Sequence, residues 1–116
     1  MPKVTINYAG TTEADILRIA EFYKDARPVG KAAVKAIRDM IALLATVPAM
    51  GSPVEADQFE NLSYAREIPV RFGRSGYVVL YEFAPNSDAV TIIAIRHYRE
   101  AGYSFEKMLS HDEDED

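Results

Sequence analysis

Leu62-Ser-Tyr-Ala-Arg-Glu-Ile-Pro-Val-Arg-Phe72, with the Gly73-Arg-Ser-Gly76 that follows it, decides the fold. Leu62, Tyr64, Arg66, Ile68, Val70 and Phe72 share one parity, and Ser63, Ala65, Glu67, Pro69 and Arg71 share the other. A period of two is the signature of a strand. Pro69 has no amide donor, which predicts an edge position or a bulge. Gly73 to Gly76 reads as a hairpin turn. Beyond it, Tyr77 to Phe83 and Ala89 to Arg96 are apolar on both parities, as in strands partly covered on both faces. Pro85-Asn86-Ser87-Asp88 between them is a second turn. The C-terminal half is therefore a three-stranded antiparallel meander.

Upstream of this stretch the period changes to 3.6. Val4, Ile6 and Tyr8 mark a short first strand that stops at Ala9-Gly10. Thr12 and Asp15 form a variant capping box, and Ile16, Ile19, Ala20 and Tyr23 recur at helical spacing, predicting a helix to about Lys24. After a break at Asp25-Ala26-Arg27-Pro28, a second stripe of Ala33, Ile37, Met40, Ile41, Leu44 and Val47 runs up to Pro48. So short a break folds the two helices into an antiparallel hairpin. Residues 48–61 have no period and read as a loop, and Ser104 to Ser110 as a short terminal helix. The expected fold is α+β: an N-terminal strand, a helical hairpin and the meander, giving one twisted sheet in two layers. The helices cover one sheet face; the other, less covered, is where a site is expected.

The chain has 116 residues with no cysteine, enough for one core without disulfide staples. The net charge of -5 resides in the tail, where residues 112–116 are five consecutive acids and leave 13 acids against 13 bases in the rest. The expected organisation is a single domain over 1–110 and a disordered acidic tail over 111–116. The N-terminus lacks the apolar core of a signal peptide and no stretch is long enough to span a membrane, which points to the cytoplasm. There is no phosphate-binding loop and no nucleophile elbow, and His97 and His111 are too far apart in sequence for a metal pair. Neither cofactor nor metal is expected.

What remains is the group Arg66, Arg71, Arg74, Arg96, His97, Tyr98, Arg99 and Tyr103. The arginines suit a target or a phosphate, which they can clamp bidentately. Metal-independent RNA cleavage needs a base, cations for the phosphorane and an acid, and His97, Tyr98 and Tyr103 are its candidates for proton transfer. Each residue also has a structural reading: Arg66 shares the apolar parity of its strand, and His97 ends one.

The segments Ile68 to Tyr81 and Val90 to Tyr103 closely resemble the C-terminal half of ParE-type toxins of the RelE/ParE superfamily, found in plasmid-stabilisation toxin-antitoxin systems. The resemblance rests on the ordered combination Gly73-x-x-Gly76-Tyr77, Tyr81 and Arg96-His97-x-Arg99-Glu100, with Tyr8, Ala14-Asp15-Ile16 and the Leu44 to Pro53 helix exit also similar. It implies a growth-arresting toxin held in a hetero-oligomer by a cognate ParD-like antitoxin whose C-terminal segment wraps the helices and sheet. It further implies a non-enzymatic inhibitor of DNA gyrase. The alternative it leaves is a RelE-like, ribosome-dependent mRNA endoribonuclease. RelE-like activity relies on a dense basic surface, and the charge-neutral body here favours the gyrase reading.

Overall fold

The change of period at the Pro48 exit is where helices give way to sheet. The computed structural model describes residues 3–54 and 63–98. Their elements are β1 (Thr5–Tyr8), α1 (Gly10–Phe22), α2 (Arg27–Leu44), β2 (Ser52–Pro53), β3 (Ala65–Phe72), β4 (Ser75–Glu82) and β5 (Ala89–His97). They form one five-stranded sheet in the order β1-β5-β4-β3-β2. The meander pairs antiparallel as expected, while β1 lies parallel to β5, Thr5 opposite Ala89 and Tyr8 opposite Ile92. The terminal helix expected at Ser104 to Ser110 lies outside the described residues.

Both helices lie on one face. Ile16 and Ile19 of α1 and Ala33, Ile37, Ile41 and Leu44 of α2 bury against Ile68, Val70, Tyr77, Val79, Tyr81, Val90, Ile92 and Ile95. Each large apolar side chain so covered contributes roughly 1.5–3 kcal/mol. Pro28 sits in the first turn of α2, where its missing amide costs nothing. The α2 stripe ends at Leu44, so Val47, expected within it, is exposed. Gly30 lets α2 approach the end of α1: a Cβ there would lie 2.9 Å from the Tyr23 Cβ.

The turn expected at Gly73 is a two-residue hairpin loop with Phe72 opposite Ser75, and Gly73 takes the positive φ, +62°, that its first central position requires. Pro69 faces an open edge. Val54 N–H bonds the Ala65 carbonyl and Phe83 N–H bonds that of Tyr64, so odd residues of β3 point their backbone groups towards β2. Because β2 pairs only with Arg66 and Glu67, Pro69 lies beyond its cover and offers no donor to a passing strand.

Three features depart from the sequence reading. First, Thr12 and Asp15 do not cap α1, which begins one turn earlier with Ala9 as N-cap and no side-chain cap bond. They reach across to β5 instead: Thr11 and Thr12 hydroxyls donate to the Ile93 and Ile92 carbonyls, and the Asp15 carboxylate accepts the Ile95 N–H at 2.8 Å. Arg18 pairs with Asp15 and donates to the Ile95 carbonyl, so α1 satisfies the β5 edge where β1 has ended. Second, β5 carries a bulge. Its register with β4 passes from Leu80 opposite Ala94 to Tyr81 opposite Ile92, leaving Ile93 unpaired. The bulge reverses parity, so Ile95 and His97 continue the helix-covered face of Val90 and Ile92, whereas Ile93 is only half-buried. Third, the segment expected as a plain loop contains β2.

Candidate target-binding surface

Arg66 comes from the helix-covered parity of β3, opposite Tyr81 of β4. Its Nη1 donates to the Ala49 carbonyl at 3.1 Å and to the Gly51 carbonyl. The Tyr81 hydroxyl completes this latch, donating to the Pro48 carbonyl and accepting from the Gly51 N–H, each at 2.8 Å. Gly51 is required there, because a Cβ would come within 2.7 Å of both the Glu67 carbonyl and the Tyr81 hydroxyl. Burial pushes the Tyr81 hydroxyl above its ordinary pKa, against the opposing pull of the Gly51 N–H and the Arg66 charge. Arg66 thus ties the exit of α2 to the sheet. An open depression of about 220 Å³ lies beside it, lined by Pro53, Val54, Tyr64, Phe83 and Pro85 among others.

Arg71 and Arg96 lie on the other face. Their cross-strand partners are Gly76 and Val78, and Val78 packs with Tyr98 in a cluster separate from the main core. Both arginines are exposed, two strands and one pleat apart, roughly 12 Å at the backbone. Arg74, also exposed, sits in the β3-β4 turn at the same end of the sheet. Glu67 and Glu82 share this open face but lie towards its opposite end. The open face is therefore polarised along its strands.

His97 points to the helix-covered side. Its ring meets that of Tyr77 edge-on at 5.5 Å, and the Tyr77 hydroxyl lies 3.3 Å from that of Tyr23. Tyr98 is 2% exposed. The structure thus gathers Arg71, Arg74 and Arg96 at one end of the sheet, sets Arg66 apart in the latch, and puts His97 on the opposite face from Arg96. Arg99 and Tyr103 lie outside the described residues. Among the described residues, no three His, Asp or Glu side chains converge as a metal ion needs, and no helix is long and apolar enough to cross a membrane.

The latch partners Gly51 and Tyr81 were not singled out for a site from the sequence. Their one signal was a glycine bracketed by Pro48 and Pro53, facing a tyrosine of core parity.

No curated protein matches the chain. Among solved structures, the chain is similar to an arginine mutant of the E. coli toxin RelE in the free state, with 11% identity and a TM-score of 0.48, covering 91% of this chain and 98% of that one. The family model described as "ParE toxin of type II toxin-antitoxin system, parDE" matches residues 6–102. With most of its length under that model, the chain belongs to the ParE toxin family of type II toxin-antitoxin systems.

Proposed function

We propose that this toxin arrests growth by binding DNA gyrase as a protein ligand, and that a ParD-like antitoxin neutralises it. The observation that carries this reading is the separation, among the described residues, of the groups an RNA-cleaving site would need. A metal-independent nuclease must bring a proton-transfer group and a cation to one scissile phosphate. Here His97 faces the helix-covered side against Tyr77, Arg96 faces the open side, and Tyr98 is buried. The exposed Arg71, Arg74 and Arg96 suit contact with acidic groups on a protein. The neutral body supports the same reading, since it offers RNA little long-range attraction.

A type II toxin has an antitoxin partner. The helical hairpin leaves Leu17 68% and Phe22 77% exposed, and such side chains suit an amphipathic segment that folds as it binds. The test is a supercoiling assay with purified gyrase, in which micromolar toxin traps cleaved DNA. Arg96→Ala weakens toxicity more than Arg38→Ala, which changes an exposed residue of α2. Uncut DNA at that concentration, or mapped mRNA ends at fresh cleavage sites in arrested cells, would overturn the reading.

A further inference from the structure

We infer that the depression beside Arg66 is a binding site for the C-terminal residue of a partner peptide, its free carboxylate on the Arg66 guanidinium and its apolar side chain in the depression. The first support is an incompletely satisfied cation. Arg66 is half-buried, and its Nη1 donates to the Ala49 and Gly51 carbonyls. Among the described residues, no carboxylate pairs with it and no acceptor meets Nη2 or Nε. Taking a charge partly out of water costs free energy that two carbonyls return only in part. The remaining Nη2–Nε edge is one that a carboxylate fills bidentately. The Tyr81 hydroxyl fixes the segment that holds Nη1, so the guanidinium is positioned before a ligand arrives and the ordering cost of binding falls.

Shape and lining are the second support. The depression measures about 220 Å³, below the roughly 300–1,000 Å³ of sites that take drug-sized ligands, and so suits a single side chain. Pro53, Val54, Phe83 and Pro85 give it an apolar wall, the exposed Tyr64 ring adds to the rim, and Arg66 carries the one charge among the described lining residues. Adjacent side chains of an extended peptide point to opposite sides, so an internal apolar and acidic pair delivers only one of its groups here. A C-terminal residue bears both on one Cα. The neutral body favours such a peptide over a nucleotide. Arg66 lies roughly 17 Å along β3 from Arg71, so this site is separate from the proposed gyrase surface.

The probe is acetyl-Gly-Gly-Phe with a free C-terminus, titrated into isotope-labelled full-length toxin. Amide signals of Val54, Tyr64, Ala65 and Phe83 and the Arg66 Nε–H signal shift saturably with a Kd of roughly 1 mM. The C-terminal amide of the same peptide binds at least about fivefold more weakly at low salt. Arg66→Gln binds both forms alike, within about twofold. Should that variant lose its folded spectrum, Tyr64→Ala, which spares the latch, carries the test: its affinity for the acid drops about fivefold at an unchanged melting temperature. Equal binding of acid and amide by the wild type, shifts at other residues, or full affinity in Tyr64→Ala overturns the inference. So does tighter binding at these residues of acetyl-Phe-Ala-Glu-amide, whose carboxylate sits two residues on, or of uridine monophosphate. None of these readouts involves gyrase, so the proposed target stands or falls separately.

Discussion

Replacing Tyr81 by Phe removes one oxygen and isolates the latch. The ring still fills its place in the core, while the Gly51 N–H and the Pro48 carbonyl lose their partner. Gly51 is buried, so its orphaned donor bears the full desolvation penalty, whereas half-buried Pro48 can recruit water. The expected loss is about 2 kcal/mol at neutral pH, or roughly 8 °C in melting temperature for a chain of this size. The pH dependence carries a second signature. Burial raises the folded pKa of Tyr81 above the ordinary tyrosine value of about 10, so the folded protein keeps a proton that the unfolded chain gives up. The resulting stability is complete below about pH 10 and is lost as pH rises through the folded pKa. Thermal melts followed by circular dichroism between pH 7 and 11 should therefore show a steeper alkaline decline in the wild type than in Tyr81→Phe. Equal slopes above pH 10, or a neutral-pH difference under 2 °C, would refute the argument.

Arg66→Ala removes the other half of the latch and should cost about 1–2 kcal/mol. Combined with Tyr81→Phe, it should cost less than the two losses added, because both hold the same loop; denaturant titrations of the cycle measure the difference. Ile92→Asp should abolish soluble protein, whereas Ile93→Asp in the half-buried bulge should fold with a loss of no more than about 2 kcal/mol, as solubility and melting temperature will report. Asp15→Ala strips the Ile95 amide of its acceptor, and hydrogen exchange at Ile95 should accelerate about tenfold or more while central β4 amides change less. Gly30→Ala must push against the Tyr23 Cβ, and should lower the melting temperature even though alanine is the better helix former.

Much of the fold was legible because each element declares its own period. The α2 stripe from Ala33 to Leu44 turns inward as its spacing says, and so do Ile68, Val70 and Phe72 of β3, although Tyr64 of the same parity is exposed and Ala65 of the other is buried. Pro69 was legible for the same reason, since a missing donor restricts where a residue can sit. What escaped was settled across the chain. Ile92 and Ile93 are chemically identical neighbours, and nothing local says which of them a bulge will leave unpaired. Thr12 and Asp15 suit a helix cap and a strand edge equally well, and the end of β1 decides between them. Arg66 follows the same logic. Its parity marked it as inward-facing, but its partners are backbone carbonyls of a loop fifteen or more residues away, which no spacing rule reports.

The pairing of β1 with β5 constrains how this toxin comes into being. β1 has no neighbour in the sheet until β5 emerges, since Thr5 waits for Ala89. Until then the apolar stripe of the helical hairpin has only part of a sheet to cover, and the Asp15 carboxylate lacks the Ile95 amide that fastens it. A nascent chain interrupted before residue 89 is therefore unfinished throughout rather than a smaller working copy.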